Sequence, residues 1–372
     1  MWRTSPRARS APSTRLRSNG ILFFTILLSA SCTAASCQNG HLNTSQAAAA
    51  VGGQSSTDVL DDHVTRVRNI VFRDSTASAA VQVFLEPGGG FLVADAGQSQ
   101  IRAYSAGEEL LWTAGRSGEG PQEFKQLRFA LRTSSGAVIA LDITGKLSFF
   151  DAAGRFLRTV STGLSPAYNF RLIDDSTLLL SGRLRGDLNT PLLHIWDLRS
   201  DSITASFFPV PAHDPAFDEA YRLNGWASVA LLGGDSIAAI FPLSDTLYLF
   251  RTDGTEAGKL KLPLDYYVPI RTPGAENDTP EAEVAWRSSY SSLSQVFGSP
   301  DGSIFVQYYK SDGFEPVWGL SRFSLQNGRL EKEFEVVDSP RLLAISPRDS
   351  SLYFLSADDL ESTEWFVASL SH

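Results

Sequence analysis

The sequence predicts an all-β protein: a six-bladed β-propeller with four-stranded antiparallel blades, its ring closed by an N-terminal strand. Three observations carry this. From residue 64 onward the β-rich runs are short and punctuated by Gly, Asp and Ser, the mark of many short strands. One unit recurs six times. The last unit is short of strands, while the run Val64–Phe72 near the start has no partner of its own.

The recurring unit is an apolar stretch, a small polar turn and an apolar triplet. It runs Val83–Leu85, Gly88-Gly89-Gly90, Phe91-Leu92-Val93; then Phe129–Leu131, Ser135-Gly136, Val138-Ile139-Ala140. The third is Phe170–Ile173, Asp174-Asp175-Ser176, Leu178-Leu179-Leu180; the fourth Val229–Leu232, Gly234-Asp235-Ser236, Ile237-Ala238-Ala239. The fifth is Val296-Phe297, Pro300-Asp301-Gly302, Ile304-Phe305-Val306; the last Leu343–Ile345, Asp349-Ser350, Leu352-Tyr353-Phe354. The triplet centres are 47, 40, 59, 67 and 48 residues apart, close to the roughly 40–50 of a propeller blade once insertions are allowed.

Each unit continues into a second pair of strands. Ile101–Tyr104 leads through Gly107 to Leu110-Leu111-Trp112, Leu147–Phe150 through Gly154 to Phe156-Leu157, and Leu247–Phe250 into Asp253-Gly254. Gly takes the positive φ of such hairpin turns at little cost. A lone blade cannot bury both faces, so neighbours stack, and open strand edges would template aggregation. After Phe354 only Trp365-Phe366-Val367 remains as an apolar run, so residues 64–72 are expected to complete the last blade.

Ahead of the body lies an address. Arg3, Arg7, Arg9, Arg15 and Arg17 precede the apolar run Ile21–Leu28 and the small residues Ser29-Ala30-Ser31, the layout of a secretory signal over residues 1–31. The run is too short to span a membrane, which takes about 20 apolar residues. Residues 32–63 read as a flexible linker, and 64–372 as the propeller. Cys32 follows a small-residue triplet that resembles a bacterial lipobox, with Leu28 one place further from the Cys than usual; ordinary signal cleavage is the alternative. Only Cys32 and Cys37 occur, so the body has no disulfide framework or Cys-based zinc site. One Met and an excess of Arg over Lys, 26 to 6, hint at a GC-rich bacterial genome.

The wording at Val93–Trp112 and Ile139–Leu157 resembles NHL-type repeats: apolar-Ala-Asp, then Ile-x-x-Tyr/Phe, then Gly-x-x-Leu. The segment Gly115–Phe124 is similar to the interblade phrase of bacterial six-bladed propellers of that superfamily. The likeness covers about residues 83–160 and is only patterned beyond, where insertions fall near 184–191, 209–224 and 264–292. It implies the fold; propellers host many chemistries, so it implies little about function.

Charge excludes one class of function. After residue 31 the chain carries 27 basic and 41 acidic side chains, a net −14, whereas nucleic-acid binding needs a basic face. No Gly-x-Ser-x-Gly, His-Glu-x-x-His, Walker A or EF-hand pattern is present. Glu119-Gly120-Pro121 resembles the opening phrase of gluconolactonase-type propellers, whose Glu binds a divalent metal in the channel. Here 16 residues separate Pro121 from Val138, so an interblade turn is the competing reading. Asp95 and Asp142 fall at equivalent places after inner strands, where they either line a cation site or accept backbone hydrogen bonds; the recurrence favours the second. The segment Leu264–Leu293 holds Tyr266, Tyr267, Arg271, Trp286, Arg287 and Tyr290. Insertions in repeat proteins gather on one face, often the binding face, and aromatics with Arg suit recognition; the competing reading is a loop packed over the channel mouth.

The expectation is an exported propeller, periplasmic, secreted or outer-membrane-anchored through lipid on Cys32. It is expected to be a monomer that binds a protein, peptide or saccharide of the cell envelope through that segment, without a cofactor. The alternative is a metal-dependent hydrolase or lactonase holding one divalent cation such as calcium on Glu119, Asp95 and Asp142.

Overall fold

The computed structural model describes residues 60–71, 80–186, 190–272, 279–312, 315–355 and 364–371. The expected leader, Cys32 and the expected linker up to residue 59 lie outside the described residues.

The chain enters with β1 (Val64–Val71) and then builds blade 1 from β2 (Ala80–Leu85), β3 (Phe91–Asp95), β4 (Gln100–Tyr104) and β5 (Leu110–Ala114). A short parallel pair, β6 (Arg116–Ser117) and β7 (Glu123–Phe124), leads into blade 2: β8 (Leu127–Arg132), β9 (Val138–Asp142), β10 (Lys146–Phe150) and β11 (Phe156–Ser161). Blade 3 is β12 (Leu164–Asp174), β13 (Thr177–Leu184), β14 (Leu193–Asp197) and β15 (Ser202–Phe207). A single 3-10 turn (Pro215–Phe217) and α1 (Asp218–Leu223) precede blade 4: β16 (Ser228–Leu231), β17 (Ser236–Ile240), β18 (Thr246–Arg251) and β19 (Glu256–Lys261). The next connection carries α2 (Pro280–Arg287) and enters blade 5: β20 (Ser291–Gly298), β21 (Ile304–Asp312), β22 (Glu315–Gln326) and β23 (Arg329–Val337). Blade 6 has β24 (Leu342–Ile345), β25 (Leu352–Leu355) and β26 (Glu364–Leu370).

The fourth strand of blade 6 is β1. It pairs antiparallel with β26, from Val64 opposite Leu370 to Val71 opposite Glu364, around a bulge at Val67. The ring is thus closed by joining the N-terminal strand to the C-terminal one, as the strand shortage near residue 354 predicts. Each of the other five sheets runs in chain order, all antiparallel.

Position in the blade explains each strand's composition. The second strands β3 and β9 are buried at every residue, because neighbouring blades cover both faces; hence the continuous apolar runs FLVAD and VIALD. The fourth strands β15 and β19 alternate exposed and half-buried residues, since they face solvent at the rim. Six separate hydrophobic clusters fill the six junctions between blades. Along β9 the alternation is explicit. Val138 and Ala140 pack with Leu92 and Ala94 of blade 1, while Ile139 and Leu141 pack with Phe170 and Leu178 of blade 3.

Turns lock one blade to the next. Gly154 has φ +78°, and a Cβ there would meet Trp112 of blade 1 at 2.5 Å. The Trp112 indole lies over this turn and donates from Nε1 to the Ala152 carbonyl at 3.2 Å.

First strands of successive blades touch one another around the axis, β2 with β8, β8 with β12, β12 with β16, β16 with β20, β20 with β24 and β24 with β2. They line the channel. Gln295 Nε2 of blade 5 donates to Gln82 Oε1 of blade 1 at 3.3 Å; blade 6 separates these two blades in the ring, so this bond reaches past its inner edge. The starts of the first strands and the ends of the second strands fall at one end of the ring. The functional candidates sit at this end, called here the mouth.

Candidate functional site

The two aspartates at the strand ends are fully engaged. Asp95 is completely buried; Oδ1 accepts from the Gln98 N–H at 2.9 Å and Oδ2 from Arg102 Nε at 3.1 Å. Asp142, equally buried, accepts from Thr144 N–H at 2.7 Å, Thr144 Oγ1 at 2.6 Å and Gln126 N–H at 3.0 Å. Both carboxylates staple the corner between second and third strands, and Asp142 also holds the linker entering blade 2.

Glu119 lies elsewhere. Its side chain is 81% exposed and pairs with Lys125 at 3.4 Å. It borders a shallow cavity of about 320 Å³ lined also by Gly118, Thr144, Lys146 and Arg185. A lone carboxylate among three cations is poor metal-ligand chemistry. Among the described residues no group of three or more His, Cys, Asp or Glu is disposed to hold a metal, so Glu119, Asp95 and Asp142 are not brought together. In this phrase the organising residue is Glu123, which the sequence reading passes over. Its carboxylate accepts from the Gly120 N–H at 2.8 Å and pairs with Arg116 at 2.7 Å. These two donors hold its pKa below the usual carboxylate value. A Cβ on Gly118 would collide with it, which accounts for the glycines.

The insertion between β19 and β20 distributes its six candidates unevenly. Tyr267 is buried in the junction of blades 4 and 5, edge-on to Tyr308 at 6.3 Å; burial pushes its phenol pKa far up. Tyr290 is buried in the junction of blades 3 and 4, where burial raises its pKa to about 12. Trp286 is half-buried against the same junction, meets Tyr290 edge-on at 5.3 Å, and donates from Nε1 to the Arg271 carbonyl at 2.8 Å. Arg287 pairs with Glu283 along α2 at 2.7 Å. Only Tyr266, 59% exposed, and the Arg271 side chain reach solvent freely. Three of its four aromatics are therefore packed or half-packed, and the six side chains do not form one exposed cluster.

A different constellation occupies the mouth between blades 2 and 4. Arg183, near the end of β13, is only 3% exposed. Its Nη2 donates to the Tyr221 carbonyl at 3.1 Å, whereas Nε and Nη1 have no hydrogen-bond partner among the described residues. The guanidinium lies flat against Gly225, where any Cβ would strike it. Arg128, at the start of β8, is half-buried with Nε also unbonded, and its guanidinium sits 5.8 Å from the centre of the Tyr168 ring. The charges of Arg128 and Arg183 both act on the Tyr168 phenol. Burial lowers both arginine pKa values, partly offset by Tyr168 beside each and by Asp142 beside Arg128. Tyr168 also packs on Trp226, ring centres 5.6 Å apart. Asn169 donates from Nδ2 to the Ala227 carbonyl at 3.1 Å and leaves its buried Oδ1 unbonded.

The sequence offers one signal for this cluster. β13 reads TLLLSGRL, and Arg183 falls in phase with Leu179 and Ser181, both completely buried. An Arg at a buried phase must find a partner in the fold or outside it.

Comparison with known proteins supports the architecture. No known family model matches the chain, and no curated protein matches its sequence. Among solved structures, a Bacteroides fragilis protein described as a "putative exported protein" superposes with a TM-score of 0.54 at 13% identity, over 83% of this chain and 94% of that one. A DUF4221-family member from Bacteroides vulgatus superposes with a TM-score of 0.55 at 10% identity, over 83% and 97%. Virginiamycin B lyase from Staphylococcus aureus aligns at 0.48 and 9% identity, over 82% and 99%, a likeness too loose to carry inference. At these identities the similarity establishes the fold alone.

Proposed function

We propose that this chain is an exported, monomeric binding propeller that captures its ligand at the mouth between blades 2 and 4 without transforming it. One observation carries the reading: buried polar atoms of Arg183, Arg128 and Asn169 stand unbonded beside the Tyr168–Trp226 pair. Leaving such groups unsatisfied costs about 1–3 kcal/mol each, and a ligand that bonds them recovers this. Donors, an acceptor and aromatic faces are recognition chemistry.

Export is supported by the Arg-rich lead and apolar run of residues 1–31, and agrees with the description of the Bacteroides fragilis protein of like fold. Among the described residues no helix is long and apolar enough to cross a membrane. Lipid on Cys32 would tether the propeller, and Cys32→Ala would then release it from the membrane fraction. The NHL-like wording of blades 1 and 2 fits a bacterial member of that repeat class.

The test is a thermal-shift screen of the protein against envelope saccharides and peptides. A ligand that raises the transition in the native protein, but not in Trp226→Ala, supports the reading. A ligand whose effect survives Trp226→Ala and is lost in Arg271→Ala would move the site to the insertion.

A further inference from the structure

We propose that the mouth contains an oxyanion subsite in which Arg183 and Arg128 receive a carboxylate of an acidic saccharide, its ring resting on Tyr168 and Trp226. This rests on the mouth being the binding site and names the ligand class.

The first argument is the state of Arg183. A buried guanidinium is expensive unless it is paired. Arg183 is 97% removed from solvent, its one hydrogen-bond partner is a neutral carbonyl, and two of its donors are unused. Gly225 supplies a side-chain-free wall against which the guanidinium lies. A planar fork of donors matches a carboxylate, which can accept two parallel bonds.

The second argument is charge. The body is strongly acidic, yet at this end of blades 2 and 3 Arg128 and Arg183 both act on Tyr168, while Lys146 and Arg185 line the cavity beside Glu119. The carboxylates beside these cations are already engaged: Glu119 by Lys125, Glu123 by Arg116 and the Gly120 N–H, and Asp142 by Thr144 and the Gln126 N–H. Deeper on β12, Arg171 lies over the Phe129 ring at 4.7 Å, and burial brings its pKa down to about 10. A local reversal of sign inside an acidic molecule attracts anions.

The third argument is the setting of the arginines. Asn169 Oδ1 is an acceptor with no donor, which suits a sugar hydroxyl next to the acid group. The Tyr168–Trp226 pair, tilted by 34°, offers apolar faces on which a pyranose ring can stack.

The test is calorimetric titration of the protein with a galacturonate trimer, the neutral galactose trimer, inorganic phosphate, sulfate and a tetraglutamate peptide. Trp226 emission, isolated by difference from Trp226→Phe, reports occupancy of the mouth. The proposal expects the galacturonate trimer to bind at least tenfold more tightly than any other probe. Arg183→Met should erase that preference while leaving the unliganded melting transition unchanged or raised; a lowered transition would mark Arg183 as a structural residue. Equal binding of the acidic and neutral trimers overturns the oxyanion subsite and leaves the mouth as the site. Phosphate or sulfate binding as tightly as galacturonate overturns the saccharide assignment, as does a preference for the peptide. If no probe perturbs Trp226, the mouth reading falls with it.

Discussion

Blade 1 and blade 3 each bury an arginine at the same end of the ring. Arg102 on β4 is 2% exposed and Arg183 on β13 is 3% exposed. Arg102 has an aspartate 3.1 Å from its Nε, on the neighbouring strand, with Asp95 opposite Gln100 in register. Arg183 has a backbone carbonyl and a glycine wall. The first pair is a staple of the fold: the chain supplies both charges and buries them together. The second is half of a pair, and the missing half is an anion from outside. Burial alone does not separate the two; the partner does.

The largest perturbation removes the frame both depend on. Deleting residues 64–71 takes away the fourth strand of blade 6 and exposes the junction of Ile70 with Phe91 and Trp365. The expected outcome is loss of cooperative unfolding by calorimetry. A transition of unchanged enthalpy would show that the ring does not need β1.

Next comes the paired arginine. Arg102→Ala leaves Asp95 charged and buried, and should cost about 3–5 kcal/mol in denaturant unfolding. The double change Asp95→Leu, Arg102→Leu should cost less than either single change, because no uncompensated charge remains. Additive losses would mean the two are not a pair.

Crowding the other arginine should cost less. Gly225→Ala forces the Arg183 guanidinium off its wall; overpacking of this kind costs about 1–3 kcal/mol. Ligand affinity should fall with it, and Arg183→Met in the same background should recover the stability but not the binding.

Another buried group of blade 3 is held neutral. His194 on β14 is fully buried, with Nε2 donating to the Gly182 carbonyl at 3.2 Å and Nδ1 2.8 Å from Ser206 Oγ. Burial lowers its pKa, so below about pH 6.5 the unfolded chain takes up a proton that the folded chain refuses. Its contribution is therefore complete above that pH and is lost on acidification, by at most about 1.4 kcal/mol per pH unit. Comparing urea midpoints of His194→Gln and the native protein between pH 7 and 5 should show the gap closing. A gap independent of pH would contradict it.

The propeller is legible in the sequence because its signals are local. A second strand buried on both faces must be apolar throughout, and a hairpin needs Gly, Asp or Ser at the turn, so VIALD after Ser135-Gly136 reads unambiguously. The shortage of strands after Phe354 even assigns β1. Residues that bind are harder. Tyr267 and Tyr290 look like an exposed aromatic cluster in the sequence, yet they fill junctions between blades, because a tyrosine suits a core edge and a binding face equally well. Asp95 and Asp142 are read as backbone-bonded corners from their recurrence, and their hydrogen bonds fit that reading. Arg183 gives only its buried phase on β13; its distinguishing feature, a missing partner, shows only in the fold. The groups around it come from Arg128, Tyr168 and Gly225, on three different blades or their linkers, and only the closed ring assembles them.

The most direct test sets the two arginines side by side. Urea unfolding of Arg102→Met and Arg183→Met would be measured in the same buffer without ligand. The account predicts a loss of about 3 kcal/mol or more for Arg102→Met, and no loss, or a gain of about 1–3 kcal/mol, for Arg183→Met, which removes a buried charge whose donors are unsatisfied. Equal, large losses would make Arg183 a structural staple like Arg102 and would contradict the binding site.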